Sequence, residues 1–253
     1  MRNKCYVDVC GGVGNQLFQI ANGYAYSQKY NLDLLIDPTN WNAGQGVSSI
    51  IYQDEIFRNF NNTYRPRGQT KEIHEKEFNY NELPKYHWSD GDVSFHGYFQ
   101  SLKYFEDYKD EFINKLTLPK VDSSFISSDN IAFHIRQGDY LNYPHIFGDL
   151  TNYFNMMFEK FCPDYQVNVF TDSPKLVLEK YDKYDFNLIQ TSSELNDLTL
   201  LSLHDRMVCS NSTFSWWGSI LGKKKDLIIV PEKWLIDRDC SDIYYEGMTK
   251  HEL

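Results

Sequence analysis

The sequence has no apolar run of membrane-spanning length, and its first stretch, Met1 to Cys10, carries Arg2, Lys4 and Asp8 instead of a long apolar region. A transmembrane helix and a secretory leader are therefore not expected, and the expected compartment is the cytoplasm. The final Lys250-His251-Glu252-Leu253 resembles an ER-retrieval tail, but such a tail has no use without an entry signal. Positive charge is also scarce, with 25 Lys and Arg against 35 Asp and Glu and a formal net charge of −10. Nucleic-acid or anionic-membrane binding through overall charge is thereby excluded, and a phosphate-bearing ligand needs a local basic site. The five cysteines are odd in number and lack zinc-ligand spacing, so they read as buried thiols in a reducing compartment. Gly-Lys-Ser/Thr, the mark of a phosphate-loop NTPase, is missing, and so is a third glycine near Leu17 that a dinucleotide fold would want. Asp37 nevertheless lies about where such a fold places its ribose-binding acid, which keeps a nicotinamide-dinucleotide reading open.

What is present is an ordinary globular composition, 42% apolar and 24% charged, with an unusually high 16% of aromatics. Tyr and Trp stack on sugar rings and also fill cores, so the aromatics suit both a glycan ligand and plain packing. The 253 residues allow one large domain or two small ones. Short Val- and Ile-rich runs alternate with segments of helical periodicity, which predicts α/β units with parallel sheets. The first is a strand over 4–10, a Gly turn, a helix over 15–30 and a strand over 32–36. Further along come a strand over 93–99 and a helix over 102–116. The segment 38–67 is irregular and polar. The Ser- and Asp-rich stretch from Pro119 to Asn130 lacks periodicity and reads as a linker, which divides the chain into domains of 1–120 and 121–253. In the second half, strands are predicted over 131–135, 167–171, 187–190, 207–209 and 227–230. Helices are predicted over 151–161, 174–181, 194–203 and 215–221.

Four segments have residue types suited to chemistry. In Gly11-Gly12-Val13-Gly14-Asn15-Gln16, glycines permit close backbone approach and the following helix offers free N–H groups to an anion. A plain tight turn is the alternative. His134-Ile135-Arg136 ends a strand. Arg136 offers a planar fork of donors suited to a diphosphate, and Asp139 is near enough to orient it. Asp172 follows the next strand, where open α/β sheets bind ligands. It reads either as a partner for base or ribose or as a helix cap. Asn211-Ser212-Thr213-Phe214-Ser215 places hydroxyls and N–H groups at a helix start ahead of Trp216 and Trp217, at least one of which packs in the core. The Asp90-Gly91-Asp92 and Asp237-Arg238-Asp239 triplets match the loose metal-binding Asp-x-Asp pattern without partner ligands and read as solvated loops.

These segments, with Gly97-Tyr98-Phe99-Gln100-Ser101, occur in an order that resembles the α-1,2-fucosyltransferase family, glycosyltransferase family 11. The resemblance implies a GT-B-like fold of two Rossmann-like domains facing across a cleft, the first on the acceptor side and the second binding the nucleotide sugar. It implies GDP-fucose as donor, an oligosaccharide acceptor, inversion at the anomeric carbon, and no obligatory metal or other cofactor. The family's His-x-Arg-Arg-Gly-Asp run falls on His134, Arg136, Gly138 and Asp139, with Gln137 in place of the second arginine. Arg136 is then the clamp on the leaving diphosphate, and His134 and Asp139 are the candidate bases. Gly12, Gly14, Asn15, Gln16, Asp172, Asn211, Ser212, Thr213, Phe214 and Ser215 are expected at the donor, Asn15 and Gln16 alternatively at acceptor hydroxyls. A dinucleotide-dependent oxidoreductase leaves the Arg136 and Trp216 segments without a role, and a non-catalytic glycan-binding module does the same for the anion-binding groups.

Overall fold

A computed structural model describes residues 2–38, 52–66 and 68–252. The chain forms two compact units, residues 1–118 with Ser241–Ile243, and residues 119–240 with 244–253. The return of Ser241–Ile243 to the first unit departs from an undivided C-terminal half. Asp242 explains it: its carboxylate accepts the Tyr80 N–H at 3.0 Å and pairs with Lys103 Nζ at 2.5 Å.

In the first unit, strands β1 (Lys4–Asp8), β2 (Asp33–Asp37), β3 (Lys71–His74) and β4 (Val93–His96) form a parallel sheet in the order β2-β1-β4-β3. Helix α1 (Val13–Tyr30) lies on β1 so closely that a Cβ on Gly23 would stand 2.1 Å from Val7 Cγ2. It ends at Asn31 in the left-handed region, φ 56°, a conformation asparagine tolerates. Its other face meets an aromatic cluster in which Tyr24 approaches Phe60 and Phe112. The helix expected over 102–116 is instead two 3₁₀ turns, Leu102–Tyr104 and Glu106–Tyr108, followed by α2 (Lys109–Lys115). Phe105, at φ −139° and ψ 13°, interrupts the helical run. Of the irregular segment 38–67, residues 39–51 and 67 lie outside the described residues. Within the rest, Ile36 pairs with Asn62.

In the second unit six parallel strands run β10-β9-β8-β5-β6-β7: β5 (Asn130–Ile135), β6 (Gln166–Thr171), β7 (Asn187–Ile189), β8 (Arg206–Cys209), β9 (Leu227–Pro231) and β10 (Met248–His251). Helices α3 (Pro144–Phe147), α4 (Thr151–Phe161), α5 (Pro174–Lys180), α6 (Glu194–Leu203) and α7 (Thr213–Ile220) connect or cover them. The period of two along β5 sends Ile131, Phe133 and Ile135 into a core with Tyr153, Phe154 and Phe158 of α4. Ala132 enters the opposite core with Leu201 and Met207. Each buried aromatic of this kind contributes roughly 1.5–3 kcal/mol by burial. Trp216 and Trp217 are both buried, ring centroids 5.1 Å apart, so both serve packing.

Two strands lie outside the sequence expectation. β3 and β10 occupy sheet edges, and Ile73 is the one buried residue of β3 while β10 has none. Edge strands with so little apolar pattern are specified by the neighbour they pair with. No described helix is long and apolar enough to cross a membrane.

Candidate active site

Strands β6, β5 and β8 are neighbours in the second sheet, so the loops after their carboxyl ends lie side by side. In parallel α/β sheets this is where ligands bind. The three loops carry Arg136–Tyr140, Asp172–Ser173 and Ser210–Ser215.

Arg136 is the centre of the arrangement. Its backbone N–H donates to Ser210 Oγ at 2.8 Å, and Ser210 Oγ donates in turn to the His134 carbonyl at 2.7 Å. Its guanidinium is forked between two carboxylates, Nη2 on Asp139 Oδ1 at 2.7 Å and Nη1 on Asp172 Oδ2 at 3.1 Å. Burial alone would lower its pKa, but Asp172 and Asp139 outweigh burial and raise it. The Tyr140 ring lies 5.6 Å from the guanidinium carbon. Asp172 Oδ1 also accepts the N–H groups of Gln137 at 3.0 Å and Gly138 at 3.3 Å. A Cβ at position 138 would stand 2.2 Å from Asp172 Oδ2, so any larger residue there has to displace that carboxylate. One positive and two negative side chains leave the cluster with an excess of one negative charge.

His134 does not have the surroundings of a base. It is 5% exposed, its Nδ1 shares a hydrogen bond with Ser215 Oγ at 3.0 Å, and its ring stacks on Phe214. Burial, with the Arg136 charge adding to it, pushes its pKa down to about 3. The ring is a neutral prop between β5 and α7. Asp139 is committed to Arg136 through one oxygen, and its Oδ2 is buried without a hydrogen-bond partner among the described residues.

Of the residues expected at the donor, Asn211 and Ser215 have their side-chain donors committed to backbone carbonyls, while Asn211 also lines a cavity beside Arg136. Asn211 Nδ2 donates to the carbonyls of Phe147 and Trp234, and Ser215 Oγ to those of Ser210 and Ser212. Ser212 is the N-cap of α7, its hydroxyl accepting the Phe214 N–H. Thr213 and Phe214 remain partly exposed at the helix start. The sequence reading also missed Ser210 and Tyr140 as site residues. Tyr140 O–H donates to the Asn211 carbonyl at 3.1 Å, its ring stacks on Phe147 at 3.7 Å, and burial pushes its pKa up to about 12. Tyr140 directly follows Asp139 and so was within reach of local pattern, whereas nothing local marks a lone serine such as Ser210.

The remaining expected residues belong to the first unit. Gly12 is the N-cap of α1 and a Cβ there would meet nothing within 4 Å, which leaves open space beside its backbone. Gly14 and Gln16 are buried, and Gln16 Nε2 donates to the Gly11 carbonyl at 2.8 Å. Asn15 Oδ1 accepts from Gln100 Nε2 at 3.0 Å, and Gln19 Nε2 donates to the Gly97 carbonyl at 3.0 Å. The glycine turn and the 97–101 segment thus pack together within one unit. Burial of Glu75 raises its pKa, yet its carboxylate receives the N–H groups of Tyr98 and Phe99, both at 2.7 Å.

A profile described as Glycosyl transferase family 11 matches residues 55–248. The chain belongs to this family. It is a glycosyltransferase, and its two parallel-sheet α/β units are GT-B-like. An alpha-1,2-colitosyltransferase of Escherichia coli is 26% identical, with 89% of this chain and 90% of that one covered. The O-antigen biosynthesis glycosyltransferase WbnK of Escherichia coli is 25% identical, covering 94% and 97%. Among solved structures, the fucosyltransferase NodZ from Bradyrhizobium superposes with a TM-score of 0.53 at 12% identity, covering 87% of this chain and 94% of that one. At that identity the likeness shows the fold alone.

Proposed function

We propose that this family 11 enzyme transfers fucose from GDP-fucose to a galactoside hydroxyl, as an α-1,2 linkage, with inversion and without an obligatory metal. The observation that carries this reading is Arg136, held by Asp139 and Asp172 at the strand ends where α/β sheets bind ligands. As the fucosyl–oxygen bond breaks, negative charge grows on the β-phosphate. A guanidinium preset in direction stabilises that charge with little reorganisation, in the place a metal takes elsewhere. The N–H groups at the start of α7 add neutral donors. With His134 neutral and enclosed, loss of the acceptor proton is not assigned to it. Asp139 Oδ2 retains capacity to accept but is itself buried, so it takes that proton only if the acceptor hydroxyl reaches it.

Arg136→Ala is expected to abolish transfer, a loss on the order of 2.7–4 kcal/mol of barrier stabilisation. Arg136→Lys should rescue little, because the fork is lost. The assay is turnover with labelled GDP-sugars and terminal galactosides, with the product linkage read by NMR. Near-normal turnover by the alanine variant rejects the assignment. The colitosyltransferase relative favours a second reading, in which the donor carries colitose, the 3-deoxy form of fucose. Donor competition in the same assay separates the two.

A further inference from the structure

The first unit gathers a second charged cluster that the transfer reading does not use. At the carboxyl ends of its strands, Asp8 of β1, Asp37 of β2 and Glu72 of β3 pair with Arg65, and His74 of β3 and His96 of β4 pair in turn with Glu72 and Asp8. The Arg65 guanidinium lies 3.6 Å from Asp8, 3.7 Å from Asp37 and 3.1 Å from Glu72. Asp8 and Asp37 are almost wholly buried. Among the described residues, three carboxylates face this one guanidinium.

The register of β3 on β4 puts His74 opposite His96, and Glu72 projects to the same side two residues before His74. Glu72 Oε2 is 3.1 Å from His74 Nε2, Glu72 Oε1 is 4.0 Å from His96 Nε2, and one ligand atom of each residue lies within 4.8 Å of the others. Donors about 2.1 Å from a tetrahedral zinc stand about 3.4 Å apart, so the set closes when the exposed Glu72 shifts and the exposed His74 ring turns out of its stack on His96, ring centroids 4.7 Å apart. The Nδ1 of His96 lies 2.9 Å from Asp8 Oδ2, which fixes the proton on Nδ1 and leaves Nε2 as the acceptor, here on Ser94 Oγ. A carboxylate behind a ligating histidine is the usual support of a metal site. Ser94 Oγ, 3.0 Å from His96 Nε2, has Thr70 Oγ1 at the same distance as an alternative partner, so Nε2 is freed at small cost.

We propose that Glu72, His74 and His96 bind one divalent cation of the zinc class, with Asp8 as the support of His96 and solvent completing the coordination. Two imidazoles and a carboxylate favour such a cation over magnesium, which prefers all-oxygen octahedra. The ion would tie edge strand β3 to β4. This site does not depend on the donor or the linkage.

The test is titration of the chelator-stripped, full-length protein with Zn²⁺ by calorimetry, with thermal unfolding in parallel. One equivalent should bind saturably, at low-micromolar dissociation constant or tighter, and raise the melting temperature. Millimolar Mg²⁺ should not compete. Glu72→Gln and His74→Ala, both at exposed positions and expected to fold, should each remove that equivalent. Asp8→Asn should weaken it about 10–100-fold. Absence of saturable binding, or an equivalent that survives both Glu72→Gln and His74→Ala, overturns the proposal. The second result would place the ion elsewhere, for example on Cys10 or Cys162, which are free and partly exposed.

Discussion

Asp172 decides between two accounts of the strand-end cluster, and Asp172→Asn separates them. If the carboxylate contacts the donor, its loss weakens donor binding. If it positions Arg136, its loss misdirects the guanidinium while removing a negative charge from the neighbourhood of a diphosphate. Asparagine keeps the shape and one acceptor oxygen. That oxygen can serve the Gln137 and Gly138 N–H groups or Arg136, but not all three as the carboxylate does. Directed at the backbone, it leaves an amide N–H₂ facing Nη1, donor against donor. A hydrogen bond to a charged group is worth about 1.5–3 kcal/mol, which corresponds to a fall in kcat of roughly 10- to 150-fold. The donor KM should stay level or drop, because repulsion of the diphosphate is relieved. The measurement is steady-state kcat and KM with varied donor, alongside circular dichroism to confirm folding. A raised KM with kcat unchanged would refute the positioning role and return Asp172 to donor contact. An unchanged kcat and KM would refute both.

Gly138→Ala forces a methyl group onto Asp172 Oδ2, so it should reproduce the kinetic signature of Asp172→Asn, at least tenfold down in kcat, in a folded protein. Gly23→Ala drives a methyl group into Val7 and should lower unfolding stability by about 1–3 kcal/mol in urea denaturation. Acid should destabilise the fold through two histidines. His204 is buried, with Nδ1 on the Leu200 carbonyl and Nε2 on Asn168, and burial pushes its pKa down to about 4; His134 is pushed to about 3. Because the folded pKa values lie below the unfolded 6.5, the unfolded chain binds the protons more readily. Stability is then whole above pH 6.5 and falls by about 1.4 kcal/mol per pH unit per histidine toward pH 4. Urea midpoints at pH 7.5, 6 and 5 measure this, and a flat series would contradict it.

The legible parts of the molecule are those whose information is local. The apolar runs of β1, β5, β6 and β9 and the apolar periodicity of α4 and α6 locate those elements within a residue or two, because one strand or helix face must be buried wherever it packs. The His134–Asp139 and Asn211–Ser215 segments were likewise visible as strand-end polar loops. Side-chain roles within them were not. His134 and Arg136 are two residues apart, yet β5 ends at Ile135, and one side chain became an enclosed prop while the other became an ion pair.

Sequence by itself determined the alternation of strands and helices, the family, and the loops where polar chemistry gathers, since each follows from residue type at short spacing. Tertiary structure decided what those residues touch. Only the adjacency of β5, β6 and β8 brings Asp172 and Ser210 to Arg136, and only the β3–β4 register and β1 beside it bring Asp8, Glu72, His74 and His96 together. Edge strands β3 and β10 belong to the same class, because pairing with a neighbour, not an apolar pattern of their own, holds them in place. Burial and charge partnership depend on residues far apart in the chain, so protonation and side-chain role appear only when the sheets are assembled.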